Sequence, residues 1–248
     1  MRSHIVRWFK SIGFGQLINL DVLKNRCIKL SSISLFALCL VANPLIVSAK
    51  TMLETYNKTN NKSSSKSNVK PTILVFGDSL SASYGISQDQ GWVNLLAQRL
   101  TQKRYSYKLV NVSISGETTS GGLSRFKQSI KQHKPSVVIL ELGANDGLRG
   151  LNATDTFNNL DSMISQAKPA KVLLLGMKIP PNYGLKYSEQ FSDNYVKLAK
   201  KNNVKLVPFM LDGIAGNRDL VQQDGLHPTA AAQPLILENI WVELKKII

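Results

Sequence analysis

From residue 71 onward, short runs rich in Val, Ile and Leu recur between stretches of helical pattern. They read "TILVF" at 72–76, "KLVNVS" at 108–113, "SVVILEL" at 136–142, "KVLLLGM" at 171–177 and "VKLVPF" at 204–209. Most lack the alternation of a half-buried strand, so they read as strands buried on both faces. Between them lie "WVNLLAQRLTQK" (92–103), a helix opening near Gly122, "TDTFNNLDSMISQA" (154–167) and "SEQFSDNYVKLAKK" (188–201), each with apolar residues at three- and four-residue spacings. A last helix covers 230–247, with Pro234 in its early part. Five strands alternating with five helices specify a parallel sheet wrapped on both faces. In such sheets ligands sit outside the carboxyl ends of the strands. That rule turns the strand ends into a test of function.

The polar residues do fall there. The first run ends in Gly77-Asp78-Ser79, the second in "SISGETTSGG", the third in "LGAND" and the fourth in "MKIPPNYG". After the fifth comes "QDGLHP", just before the last helix. Any one of these is an ordinary turn by composition; their convergence on one sheet edge is what carries the argument. They offer nucleophilic acyl transfer. A serine hydroxyl attacks only when a base takes its proton, and a carboxylate then orients the base. Ser79 is the candidate nucleophile, His227 the base and Asp224 the orienting acid. Asp224 and His227 stand three residues apart in one short turn, so the carboxylate can reach Nδ1 while Nε2 points to the site. His133, in "KQHKP", reads as a solvated residue at a helix end. A developing oxyanion needs donors; the backbone N–H groups of Ser79 and Gly116 and the side-chain amide of Asn145 are the candidates. Gly77 reads as the residue that lets the strand turn sharply and leave Ser79 exposed. Asp78 reads as a turn residue bonded to backbone, and Asp146 as structural.

These segments resemble the four blocks of the GDSL, or SGNH, hydrolases: "FGDSLS", Gly116 in "SISGETT", "GAND" at 143–146 and "DGLHP" at 224–228, in order, from Thr72 to Pro228. "ELGANDGLRG" and "PPNYG" make it similar to the bacterial periplasmic thioesterase I, lysophospholipase L1 and arylesterase group. The resemblance implies an α/β fold, a three-layer α/β/α sandwich with a five-stranded parallel sheet, flavodoxin-like in order. It implies Ser79, Asp224 and His227 as the triad and Ser79, Gly116 and Asn145 as the oxyanion hole, with no metal or cofactor. It also implies that "GLRGLN" (147–152), which holds Leu148, is a mobile loop over the acyl chain, with its two glycines as a hinge. Met177, Ile179, Pro180 and Tyr183, at and beyond the end of the fourth strand, could line an apolar acyl groove; core packing is the rival reading for Met177.

The expected function is a serine esterase acting on acyl esters or thioesters through an acyl-enzyme on Ser79. An exported carbohydrate O-acetylesterase is the alternative. A non-catalytic lipid-binding module is a third reading, against which the complete triad speaks. No G-x-x-x-x-G-K-[ST] or G-x-S-x-G occurs, which sets aside a P-loop protein and an α/β-hydrolase.

The net charge of +15 is unevenly spread: residues 1–70 carry 11 Lys/Arg against 2 Asp/Glu, and residues 71–248 carry 20 against 14. No dense basic stripe interleaved with aromatics marks a nucleic-acid groove. Most of the excess belongs to residues 1–70. Lys24, Arg26 and Lys29 precede an apolar core at Leu35–Val41, then Pro44 and Val47-Ser48-Ala49, which read as a secretory signal peptide over 1–49 with a long n-region, cleaved after Ala49. The core is shorter than the roughly 20 apolar residues a span needs, so no stable membrane anchor is expected in the mature form. Residues 50–70, rich in Lys, Asn and Ser, read as a disordered linker. Residues 71–248 form the hydrolase domain. Both cysteines, Cys27 and Cys39, lie in the leader, so the domain holds no disulfide. The expected partner is a small acyl ester or lipid, the expected state a monomer and the expected location the periplasm or the exterior.

Overall fold

Each apolar run becomes a strand: β1 (Thr72–Gly77), β2 (Lys108–Asn111), β3 (Val137–Glu141), β4 (Lys171–Leu175) and β5 (Lys205–Val207). A computed structural model describes residues 70–248. The expected signal peptide, the linker apart from Lys70, and both cysteines lie outside the described residues.

All strand pairs are parallel and the order is β2-β1-β3-β4-β5. This is the flavodoxin-like order, whose winding reverses between β1 and β3. Right-handed crossovers then dictate where the helices go. The step from β1 to β2 runs one way and all later steps run the other. Helix α1 (Trp92–Gln102) accordingly packs with the last helix, α6 (Gln233–Leu244), while α2 (Thr119–His133), α4 (Ala153–Gln166) and α5 (Leu185–Asn202) pack in series. The reversal leaves a crevice at the carboxyl ends of β1 and β3.

The central strands are sealed: Ile73–Phe76, Val137–Leu140 and Val172–Leu175 are all buried. At about 1.5–3 kcal/mol for each large apolar side chain, this layer is the main source of stability. The edge strands differ from expectation. Only Val207 of β5 is buried and no residue of β2 is, because an edge strand lacks a neighbour on one side. The last four runs also end as strands earlier than their composition suggests, and past β4 the chain stays apolar to line the crevice, as Met177 and Ile179 do.

Two helix starts, those of α2 and α4, are set by side-chain caps. Helix α2 opens at Thr119, not near Gly122, because the Thr118 hydroxyl accepts the Gly121 N–H. Gly122 is glycine for room: a Cβ there would lie 2.5 Å from Leu142 Cδ1. Helix α5 opens at Leu185, before the Ser188 expected. A short helix, α3 (Ala144–Leu148), takes up the first part of "GLRGLN", which was expected to be loop. Gly147 is not a hinge; a Cβ there would meet Ile179 Cγ2 at 2.4 Å, so it is a packing glycine.

Candidate active site

Three strand ends and one late turn meet at the crevice. Ser79 follows β1, Gly116 follows β2, Asn145 is the second residue of α3 after β3, and His227 lies beyond β5. The turn holding His227 is closed on itself. The Gln222 N–H donates to the His227 carbonyl at 2.7 Å, and Val221 pairs antiparallel with Pro228. Within it, Asp224 Oδ1 accepts the N–H groups of Leu226 and His227 at 2.9 and 3.0 Å. Its other oxygen, Oδ2, lies 2.6 Å from His227 Nδ1. His227 Nε2 is then 2.9 Å from Ser79 Oγ. The relay therefore has hydrogen-bond geometry throughout, with the imidazole spanning acid and hydroxyl. Burial pushes the Asp224 carboxyl up, but the backbone N–H groups of His227 and Leu226 and the imidazole outweigh it and hold it at about 2. It is a carboxylate at neutral pH. His133 ends α2, just before β3, and so sits at the opposite, amino edge of the sheet.

Ser79 itself is only 8% exposed, less open than its corner suggested. Gly77 is there for room rather than for a sharp turn. Its φ is not positive, and a Cβ would lie 2.4 Å from Glu141 Oε2 and 2.9 Å from Ser81 Oγ. Gly116 is the opposite case: φ is +79°, and a Cβ would meet nothing closer than Arg149 Nη2 at 3.8 Å. Arg149 donates to the Gly116 carbonyl at 3.0 Å, and Glu117 is ion-paired with Arg125, whose guanidinium lies 3.9 Å from the Phe76 ring centre. The Gly116 loop is held from both sides. Asn145 Nδ2 donates to Asp78 Oδ2 and to the Glu117 carbonyl, both at 3.1 Å, so both amide hydrogens have partners. Asp146 holds the start of α2 by accepting from the Thr119 N–H at 2.8 Å, the structural part expected of it.

A cavity of about 320 Å³ opens beside Ser79 and His227. Leu148, Met177, Ile179 and Pro180 line it, as do Phe209, Leu211, Ala215 and Leu226. Met177 and Ile179 are both buried and both line the cavity, so groove and core are one surface. Tyr183 does not line it; it is 40% exposed on the turn Pro181–Tyr183. A wider, polar cleft of about 450 Å³ along α1 and β2 includes none of Ser79, Asp224 or His227.

Sequence reasoning missed three contributors. The segment 209–226 has no periodicity, so nothing pointed to its cavity side chains. Tyr84 packs against His227 with ring centres 4.4 Å apart and planes tilted by 39°, and no local pattern marks it. Glu141 lies under the nucleophile corner, and its one visible signal is a carboxylate inside an apolar strand.

A doubly wound sheet that brings serine, imidazole and carboxylate into line at its switch point, beside an apolar cavity, defines a serine hydrolase of ester bonds. The chain belongs to the GDSL-like Lipase/Acylhydrolase family, whose pattern matches residues 75–234. It is 49% identical over 179 residues to "Esterase TesA" of Pseudomonas aeruginosa, an alignment covering 71% of this chain and 89% of that protein. It is 40% identical over 179 residues to "Thioesterase 1/protease 1/lysophospholipase L1" of Escherichia coli, covering 71% and 85%. Among solved structures, the psychrotrophic esterase EstA from Pseudoalteromonas sp., inhibited by monoethylphosphonate, superposes with a TM-score of 0.67 at 43% identity, over 71% of this chain and 97% of that one. The SGNH assignment, the three-layer α/β/α fold and an esterase acting on acyl esters follow.

Proposed function

We propose that Ser79, His227 and Asp224 are the catalytic triad and that an acyl-enzyme forms on Ser79. The observation that carries this is the continuous line from Asp224 Oδ2 through His227 to Ser79 Oγ, at 2.6 and 2.9 Å. His227 Nε2 takes the hydroxyl proton as Oγ attacks the acyl carbon, while Asp224 steadies the imidazolium. The oxyanion is met by the N–H groups of Ser79 and Gly116 and by Asn145, which exchanges the Glu117 carbonyl for it. Collapse expels the alcohol or thiol, which takes the proton from His227. Water, activated by the same imidazole, then releases the acid and restores Ser79.

The acyl chain lies in the cavity against Leu148, Met177, Ile179 and Pro180. A volume of about 320 Å³ is at the small end of ligand pockets, which favours short to medium chains. Aryl esters, acyl thioesters and lysophospholipids are the substrate classes, in keeping with the relatives' names. The polar departing group faces the exposed loops around Tyr84 and Leu226. In the purified protein, p-nitrophenyl butyrate is turned over without added metal. Ser79→Ala lowers kcat by about 10⁴–10⁶; activity near that of the native enzyme in this variant rejects the assignment.

The enzyme works outside the cytoplasm, in the periplasm or beyond it, after cleavage following Ala49, with residues 50–70 as a linker before the hydrolase domain. The basic residues before Leu35–Val41 and the small residues Val47 and Ala49 support this. Among the described residues no helix is long and apolar enough to cross a membrane. Mass spectrometry of the exported protein finds Lys50 as its first residue; an intact leader on the exported form overturns the reading.

A further inference from the structure

Beneath the nucleophile corner lies a buried carboxyl pair that the triad does not use. Gly77 and Glu141 are register partners across β1 and β3, and the missing Cβ of Gly77 leaves room for the Glu141 carboxyl. Glu141 Oε2 accepts the Asp78 N–H at 3.0 Å and the Ser81 hydroxyl at 2.7 Å. Its other oxygen, Oε1, is sealed from solvent and faces no N–H or O–H donor. Asp78 is equally buried, but both of its oxygens are taken: Oδ1 accepts the Leu80 N–H at 3.0 Å and Oδ2 accepts Asn145 Nδ2 at 3.1 Å.

Two carboxyl groups on residues joined by the Asp78 N–H to Glu141 Oε2 bond, sealed from water and with no Lys or Arg bonded to either among the described residues, do not both ionise. The geometry says where the one proton goes. Asp78 has donors on both oxygens and needs to be an acceptor. Glu141 has one oxygen without a donor, which is the oxygen free to carry a hydrogen. Burial and the Asp78 charge push the Glu141 carboxyl well above the usual range, while burial raises Asp78 to about 6 against the pull of Leu80, Asn145 and Glu141.

We propose that Glu141 is a positioning residue for ester hydrolysis: in its protonated form it donates to Asp78, keeping Asp78 the anionic acceptor that orients Asn145, while its Oε2 holds the Asp78 N–H, one residue before the Ser79 N–H. One side chain thereby sets two of the oxyanion donors, the Ser79 N–H and the Asn145 amide. Asp78 relays it, standing between Glu141 and Asn145. The inference rests on the triad and hole proposed above, but its proton has a readout of its own.

Three variants of the full chain test it. Glu141→Leu keeps the bulk and removes every polar contact. With p-nitrophenyl butyrate its kcat falls about 10²-fold, the scale of losing one hole donor, while KM changes less than about twofold. Glu141→Gln can still accept from Asp78 and Ser81 through its oxygen and donate to Asp78 through its amide, so it recovers kcat to within about tenfold of the native enzyme. Asp78→Asn, which cannot accept on both sides, loses kcat like Glu141→Leu and decides the matter if the leucine variant does not fold. Infrared difference spectra of the native protein show the carbonyl band of a protonated carboxylic acid at neutral pH, and Glu141→Gln removes it. The proposal is overturned if folded Glu141→Leu or Asp78→Asn keeps native kcat, if Glu141→Gln is as impaired as Glu141→Leu, or if that band is missing. If instead Ser79→Ala stays active while the band is present, it is the triad reading that has failed.

Discussion

Two carboxyl sites flank the reactive hydroxyl, and they are tuned in opposite directions. Asp224 lies in an exposed turn, is bonded by two backbone N–H groups and a histidine, and is held at about 2. Asp78 and Glu141 lie at the carboxyl ends of β1 and β3, and burial raises both. In the proposed mechanism the first site is a fixed charge that steadies an imidazolium. In the inference above the second is a neutral-plus-anion pair that fixes shape. The difference shows that a carboxyl's work in this enzyme is set by its solvent exposure and donor count, since Asp78 and Asp224 are the same residue type.

The strongest test of that contrast removes one charge and keeps the shape. Asp224→Asn lowers kcat by about 10⁴, because the wrong tautomer of His227 then faces Ser79. The midpoint of thermal unfolding falls only slightly, since the turn is exposed and the asparagine oxygen can still accept the Leu226 and His227 N–H groups. A large thermal shift accompanying the loss of rate would mean that Asp224 is a structural residue like Asp78, and the contrast would collapse.

Next in size is Gly77→Ala. Its Cβ enters the Glu141 carboxyl, so the outcome is a loss of about 3 kcal/mol, at the upper end of overpacking costs, with kcat reduced as well. Urea unfolding measures the first and ester turnover the second. Native stability in this variant would show that the buried pair is looser than the register implies.

The smallest effect is the pH dependence of stability, and here the two sites have opposite signs. Asp78 moves from an ordinary 3.8 to about 6 on folding, so the folded chain holds its proton more tightly. Its contribution is full below pH 3.8 and is lost as pH rises through 6; Glu141, raised further, acts in the same sense at higher pH. Asp224 contributes above its ordinary 3.8 and loses that contribution as pH falls toward 2. Unfolding free energies between pH 4 and pH 8 therefore carry a declining component of roughly 2 kcal/mol that Asp78→Asn abolishes. An unchanged slope in that variant would place the titration elsewhere.

Most of the site could be read from the chain because each part announces itself locally. Ser79, Gly116, Asn145 and the Asp224–His227 turn all follow apolar runs, and the rule that ligands sit at the carboxyl ends of parallel strands gathers them without coordinates. Strand ends were less legible, because apolar residues such as Met177 continue past the last sheet hydrogen bond to line the cavity. Gly77 was legible as necessary but for the wrong reason: the sequence shows a small residue at a corner, not the carboxyl 64 residues away that needs its space. Tyr183 shares a strand-end loop with Pro180, yet only Pro180 turns inward, a choice that no spacing encodes.

The alternation of strand and helix, the polar strand ends and the short acid–base turn were determined by the sequence, since each depends on neighbours a few residues apart. Register, the room at Gly77, the burial of Glu141 and the walls of the cavity were decided by the tertiary structure. They depend on which residue of β3 lies opposite which residue of β1, and on how segment 209–226 folds back over the crevice. Such pairings join distant parts of the chain, and they become definite only when the whole sheet has closed around its core.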